Sequence, residues 1–338
     1  MPSGAVRTFT DPDEYAAAMR QGTVRFTVMQ PGKFTARLTC IDLHSLWMQR
    51  FSATLGWTSH VDYWGEQATL AFQTRAGPNL TRSGQEYAHT NVAQLNASQS
   101  YYIHSPGPAS YATISLPLNE LASLEAAAGH ELIQPGDHLR RITPPCDALA
   151  RLRRLHAATG CLAEDAPTVL AHPEVARGLE QALAEAAIDC FDGGEPYEDR
   201  AAQRQHAAIM RRFDSVIEQH LDRPLYITQL CKEVGASIRT LNVCCREHLG
   251  MGPKRYLLLR RMNLFRRVLS ESTPRDTTVT EIATGFGFWQ FGRLAVEYKA
   301  LFGESPSTTL TANVRGPHKG WPLTPAGEHV MDDHDASR

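Results

Sequence analysis

Residues 227 to 306 carry one helical unit twice, and that repeat limits the fold of this stretch more than any other feature of the chain. In the first copy Ile227, Leu230, Cys231, Val234 and Gly235 are followed by Leu241, Arg246, Leu249, Gly250 and Pro253. In the second, Val279, Ile282, Ala283, Phe286 and Gly287 are followed by Leu294, Lys299, Phe302, Gly303 and Pro306. The spacing i, i+3, i+4, i+7 of Ile227, Leu230, Cys231 and Val234 gathers them on one stripe of a short helix. Gly235 then admits the positive φ of a tight turn. Ser237 is the expected N-cap of a second helix, whose apolar face runs Ile238, Leu241, Cys245 and Leu249, with Arg239, Asn242 and Arg246 on the opposite stripe. In the later copy Thr278 and Glu281 form a capping box and Gly287 makes the turn. The helix after it presents Trp289, Gln290 and Arg293 beside a core of Leu294 and Tyr298. A helix, a glycine turn and a second helix with a polar outer stripe make a helix-turn-helix, the second helix being shaped for the major groove of DNA.

Between the copies, Tyr256 to Leu269 reads as one continuous helix, with Leu258, Met262, Phe265 and Leu269 on one face and Arg260, Arg261, Arg266 and Arg267 elsewhere on its surface. A rigid connection of this kind holds two units at a fixed separation. Major grooves on one face of B-DNA recur about every 34 Å, so one chain can address two successive turns.

The charge distribution agrees. The formal net charge of −2 hides a block from Arg204 to Arg315 with 17 Lys+Arg against 10 Asp+Glu, net +7, and a remainder with 17 against 26, net −9. A basic block joined to an acidic one suits a nucleic-acid module attached to something that avoids nucleic acid.

From roughly Arg211 to Val314 the sequence resembles the DNA-binding domain of AraC/XylS-type bacterial transcription regulators, most clearly in VTEIATGFGFWQFGRLAVEYKALFGESPSTTL. The run GFGFWQFGRLAVEYKALFGESPS is similar to a subgroup with Trp and a GR pair in the recognition helix, which includes the ethanolamine-utilisation regulators. That subgroup raises amino alcohols and cobalamin as effector chemistries, although the likeness lies in the DNA-reading region. Departures from the family pattern are Tyr226, where a capping Ser or Thr is usual, Cys231 in place of a small Ala, and Cys245, where a large aromatic packs. Phe291 and Gly292 stand where related proteins often carry polar residues. The expected base-reading residues are Arg239 and Asn242 in the first unit and Gln290 and Arg293 in the second, because Arg pairs with guanine and Asn or Gln with adenine. Arg246, Lys254, Arg255 and Lys299 are the expected phosphate contacts, which position the protein without reading sequence. Trp289 either touches a thymine methyl or wedges its helix onto the core.

Toward the N-terminus the pattern changes. From about Val24 to Pro117, VRFTVM, FTARLTCI, SLWMQRFS, ATLAFQT, SYYIHS and YATISLP read as short strands separated by Gly, Pro, Asn and Asp. Short strands at this spacing favour a sandwich or barrel, and the resemblance implies a cupin-like one. After Pro144 and Pro145 the chain turns helical, with Leu149, Leu152 and Leu155 in one helix and Val175, Leu179, Leu183 and Ile188 in another, ending before DGGEP at 192–196. These leucines either carry a dimer contact, as the resemblance implies, or cover the barrel. EPYEDRAAQRQ then leads into a helix from His206 to His220, and the 318–338 tail reads as disordered.

Enzyme chemistry finds little support. His44, His60, His89 and His104 are isolated and no H-x-H occurs, so a cupin metal site would need distant strands. No Ser/His/Asp motif, P-loop or Rossmann glycine pattern is visible. Seven cysteines without zinc-like spacing point to a reducing compartment, with Cys244 and Cys245 as packing residues. No apolar run approaches the roughly 20 residues of a membrane helix. MPSGAVRTFTDPDEY lacks the apolar core of a signal peptide, so the cytoplasm is expected. For a receptor barrel Trp47, Trp57, Tyr63, Trp64, Tyr101 and Tyr102 are candidate pocket aromatics, although aromatics in strands are more often simple core.

The expectation is therefore an α+β chain: a cupin-like regulatory domain over 1–145, a helical dimerisation and linker region over 146–200, an all-α domain with two helix-turn-helix units over 201–316, and a tail over 317–338. Its expected function is sequence-specific transcription regulation, as an activator controlled by a small molecule, with no cofactor, catalytic residue or metal. Expected partners are double-stranded DNA, a second copy of the chain, RNA polymerase and a small-molecule effector, and no membrane. Two alternatives stay open: a ligand-free regulator whose N-terminal domain only dimerises or binds a protein, and a cupin-like enzyme fused to a DNA-binding domain.

Overall fold

Two antiparallel sheets build the N-terminal part of the computed structural model, which describes residues 2–20, 22–63, 67–95, 99–120, 122, 139–191, 195–196, 201–220 and 225–312. The larger sheet runs, in spatial order, β1 (Ser3–Phe9), β3 (Ala36–Asp42), β4 (Trp47–Ala53), β11 (Ala109–Pro117), β6 (Gln67–Gln73), β9 (Val92–Leu95), β12 (Leu139–Thr143) and β13 (Glu195–Pro196). The smaller runs β2 (Gly22–Val28), β5 (Trp57–Tyr63), β10 (Gln99–Ser105), β7 (Leu80–Arg82) and β8 (Gln85–Tyr87). Six of these strands were expected from the sequence. β1 and β5 among others were not: β1 buries only Phe9 fully, and β5 buries Thr58, Ser59 and His60 in succession, so neither shows a clean apolar alternation. A short helix, α1 (Pro12–Ala17), follows β1, capped by Asp11, whose carboxylate accepts the Asp13 amide at 2.7 Å.

Because side chains alternate across a strand, each sheet sends one set inward and one outward. The inward set includes Phe9, Phe26, Leu38, Phe51, Trp57 and Ile103, packed as one aromatic-rich core between the sheets. The outward face of the larger sheet, with Met48, Leu70, Val92 and Ile114, is covered by α2 (Cys146–Asp165), α3 (Pro167–Leu170) and α4 (Pro173–Asp189). Leu149, Leu152 and Leu183 are buried in that layer, so within this chain they cover the sheet. Each such leucine is worth about 2–5 kcal/mol against truncation to alanine.

The first helix of the C-terminal part, expected from His206 to His220, starts earlier as α5 (Ala201–Glu218), and Glu195–Pro196 pairs with β12 instead of serving as linker. Then follow α6 (Ile227–Val234), α7 (Ile238–Leu249), α8 (Pro253–Glu271), α9 (Val279–Gly285), α10 (Phe291–Phe302) and α11 (Pro306–Ala312). The 317–338 tail, residues 192–194 and 197–200 around the expected turn and linker, and Trp64 lie outside the described residues.

Candidate nucleic-acid interface

Each recognition-type helix is set by local signals the sequence supplies. Gly235 ends α6 at φ 69°, with Ala236 N–H donating to Cys231 O at 3.0 Å. Ser237 then caps α7, its hydroxyl accepting the Thr240 amide at 3.0 Å. At the second site Thr278 Oγ1 accepts the Glu281 amide at 3.2 Å while Glu281 Oε2 accepts the Thr278 amide at 2.8 Å, closing the capping box. Those hydrogen bonds, first of all from the Thr278 backbone, hold the Glu281 carboxyl below its ordinary value. Gly287 turns at φ 70°, and the chain enters α10 at Gln290, whose side chain makes no cap. Tyr226, at the start of α6, likewise makes no side-chain cap and is exposed.

The packing beneath these helices runs through α8. Tyr256 joins the cluster of Leu230, Val234, Leu241 and Leu249, in which Cys244 and Cys245 are fully buried packing residues. Leu259, Met262, Phe265 and Leu269 of the same helix join the cluster of Ile282, Ala283, Leu294 and Tyr298. One helix thus contributes to both cores and fixes their spacing.

The predicted contact residues are unevenly presented. Arg239, Arg246, Lys254, Arg255, Gln290 and Lys299 are exposed. Arg293 is exposed and pairs with Glu297 at 2.8 Å, an i,i+4 surface pair worth about 0.3–0.5 kcal/mol and easily surrendered. Asn242 is half-buried and its amide donates to Ile238 O at 2.8 Å, so it is turned onto its own helix. Ile238, expected in the core, is half exposed instead, and Trp289 is 72% exposed, which rules out the wedge. Val243, Phe291 and Val296 are also exposed on these two helices. Sequence reading singled out Trp289 and Phe291 but missed Ile238, Val243 and Val296, because stripe positions alone do not say which edge of a helix a partner covers. Apolar side chains between cations match thymine methyls between phosphates.

The far ends of both helices meet the sheets. Gly250, the left-handed cap of α7, lies so near His104 that a Cβ there would stand 2.6 Å from the imidazole. His248 of α7 faces Gly84 of the β7–β8 turn, and Gly32 N–H donates to Leu301 O of α10 at 3.2 Å. Between these points, Asn263 of α8 satisfies the open edge of β2, its Oδ1 accepting the Val28 amide at 3.2 Å. The arginines expected on a free surface do otherwise. Arg266 pairs with Asp11 at 2.9 Å, Arg267 with Asp13, and Arg260 with Glu218 at 2.6 Å; Arg261 lies 4.6 Å over the Phe288 ring. His60 has a charged neighbour from a distant helix. Asp214 of α5 accepts from Tyr102 at 2.8 Å and Arg25 at 3.1 Å and lies 3.1 Å from His60 Nε2. Burial, with Arg25 beside it, pushes the His60 imidazole down to about 4, and burial raises the Asp214 carboxyl despite Tyr102 and Arg25. His248 is also pushed down to about 4 by burial. Residues up to 255 positions apart make this junction, which no local pattern announces.

Among the described residues no group of three or more His, Cys, Asp or Glu could hold a metal ion, and no helix is long and apolar enough to cross a membrane.

Comparison with known proteins bears on the helical part. Residues 230–312 match the model of a helix-turn-helix domain. The chain is 36% identical over 149 residues to the probable thc operon regulatory protein of Rhodococcus erythropolis, covering 43% of this chain and 44% of that one. It is 35% identical over 100 residues to XylDLEGF operon transcriptional activator 2 of Pseudomonas putida, covering 30% of this chain and 64% of that one. The matches thus span less than two thirds of either relative. Among solved structures the chain is similar to the AraC-like transcriptional activator CuxR, at 14% identity and a TM-score of 0.41, over 76% of this chain and 94% of that one. Residues 230–312 therefore constitute a helix-turn-helix domain, and the relatives that share its sequence are regulators of operon transcription.

Proposed function

We propose that this chain is a sequence-specific DNA-binding transcription regulator of the AraC/XylS type, an activator, with two reading heads and a sheet domain that receives a small molecule. The observation that carries the reading is α8, whose side chains enter the cores of both glycine-turn units and so hold two exposed, basic helices in register. Arg239 and Asn242 of α7, with Gln290 at the cap before α10 and Arg293 in its first turn, read base edges, while Arg246, Lys254, Arg255 and Lys299 meet phosphates. For Asn242 this requires its amide to leave Ile238 O. Trp289 and Ile238 supply apolar contacts beside them. The relatives named as operon activators support the activator sign, and contact with RNA polymerase belongs to the same proposal. The likeness of the second unit to ethanolamine-utilisation regulators supports that subgroup, and regions 1–145, 146–200 and 201–316 as receptor, homodimer contact and DNA reader complete the reading.

Control by a small molecule is supported by the junction, since β10 touches the C-terminal end of α7 and the loop between β2 and β3 touches that of α10. An effector that binds the two docked arrangements unequally shifts their populations, and one that binds them equally shifts nothing.

Protection footprinting of the purified protein on DNA flanking its gene, at near-physiological salt with excess nonspecific DNA, tests the reading. Two protected major grooves about one helical turn apart are expected. Absence of both discrete protection and salt-sensitive nonspecific binding would overturn it.

A further inference from the structure

Each helix-turn-helix unit is held from a second side. α8 enters both cores, but it is one rod of 19 residues, about 28 Å long, and a single helix of that length bends. The smaller sheet touches each unit away from that rod. On the first unit, Tyr102 of β10 is buried in the core with Leu230, Leu241 and Leu249, and His104 stands against Gly250 at the end of α7. On the second, Met29, next to β2, packs against the cluster of Ile282, Leu294 and Tyr298, and Gly32 N–H donates to Leu301 O of α10.

The two anchors lie on one line across the sheet. His104 and Thr27 both pair with Thr58 of β5, and Ser105 and Val28 both pair with Trp57. β2 and β10 are therefore two strand spacings apart, about 9–10 Å, with β5 hydrogen-bonded to each. Asn263 fastens this strip to the middle of α8. Its Oδ1 accepts the Val28 amide at 3.2 Å and its Nδ2 donates to Val28 O at 3.4 Å, so one side-chain amide takes the place of a neighbouring strand at the sheet edge. Arg266 to Asp11 and Arg267 to Asp13 tie the same helix to the start of α1. With the sheet docked in this way, Arg239, Arg246, Trp289, Gln290, Arg293 and Lys299 all stay exposed. A contact that inhibited DNA binding would cover that surface, and this one leaves it open.

We propose that the docked sheet is a brace for DNA reading: β2, β5 and β10 set the relative position of the two recognition helices, with Asn263 as a positioning residue, and so fix the spacing between the two DNA boxes that the chain accepts. The inference rests on the two-headed reading proposed above and deepens it. One base pair inserted between the boxes moves the second box by about 3.4 Å and turns it by about 35°. A braced pair of helices does not follow that step, whereas a pair joined by α8 alone follows part of it by bending.

The test measures dissociation constants of the full chain on duplexes carrying the two footprinted boxes at natural spacing, the same boxes with one or two base pairs inserted or removed, and a single box. Two variants loosen the brace without touching a proposed DNA contact: Asn263→Leu, and Asp11→Asn with Asp13→Asn, which keeps a capping side chain before α1. Each is expected to bind the natural spacing about 5- to 10-fold more weakly, with affinity for shifted spacings and for the single box unchanged, so that the preference for natural spacing falls by the same factor. Tighter binding at natural spacing overturns the proposal, because the docked sheet is then an inhibitor. Equal weakening on every duplex, the single box included, overturns it as a general loss of stability, and an unchanged spacing preference in both variants overturns it outright. Should Asn263→Leu fail to fold, the Asp11 and Asp13 variant decides alone. An unsubstituted chain that accepts all spacings alike sinks the brace and leaves the DNA-binding function standing. A chain with neither discrete protection nor salt-sensitive binding sinks that function itself.

Discussion

Replacing Gly250 by alanine should cost far more than replacing Gly235, although both glycines cap a helix at nearly the same φ, 71° and 69°. The backbone penalty is common to the two, about 1–2 kcal/mol for an L-residue held in the left-handed region. What differs is the space. A Cβ at Gly235 meets nothing within 4 Å, whereas at Gly250 it would lie 2.6 Å from Cε1 and Nε2 of His104, and 3.2 Å from its Nδ1. His104 is 8% exposed, so its ring has little room to swing away and the helix and β10 must part. Forcing extra atoms into a packed site costs about 1–3 kcal/mol more. Gly235→Ala should therefore lose about 1–2 kcal/mol and Gly250→Ala about 2–5 kcal/mol in urea unfolding of the full chain. Hydrogen exchange should show α7 and β10 loosened only in the latter. Gly250→Ala combined with His104→Ala should recover the clash term, giving a favourable coupling of about 1–3 kcal/mol in a double-mutant cycle. Equal losses at the two glycines, or no coupling to His104, would refute the docking of the sheet domain on α7.

Acid should loosen the same junction. His60 and His248 are held near 4 in the folded chain, below the ordinary 6.5, so the unfolded chain binds protons that the folded one does not. Their contribution is complete above about pH 6.5 and falls as pH drops toward 4, by up to about 3 kcal/mol for His248. Hydrogen exchange at α7 and β10 measured from pH 7 to 4.5 checks it, and protection flat with pH would contradict the buried neutral rings. For DNA, Arg293→Ala should relax preference at one or two positions in a binding-site selection, whereas Lys299→Ala should weaken every sequence alike and reduce the salt slope by about one. An unchanged consensus for the Arg293 variant removes that residue from the reading set. Trp289→Ala should leave the melting temperature within about 0.5 kcal/mol of equivalent stability, because the ring is 72% exposed, and reduce specific DNA affinity in a titration. A large loss of stability would instead place the ring in a packing role.

The sequence alone determined the helical part, because its signals are local. Helical spacing, Gly235 and Gly287 at positive φ, Ser237 and the Thr278–Glu281 box act within a turn or two of chain, so each can be read from neighbouring letters. It also located the strands whose two faces differ, such as β4 and β11. Tertiary structure decided what each face meets. β5 was illegible because Trp57 packs inward while His60 is buried outward beneath α5, which erases the alternation. Arg260, Arg266 and Arg267 looked like surface charge on a linker helix, yet they pair with Glu218, Asp11 and Asp13 from distant segments. Local propensity fixes which residues share a face, but whether that face meets water, another sheet or a helix 200 residues away depends on contacts that exist only after the chain has closed.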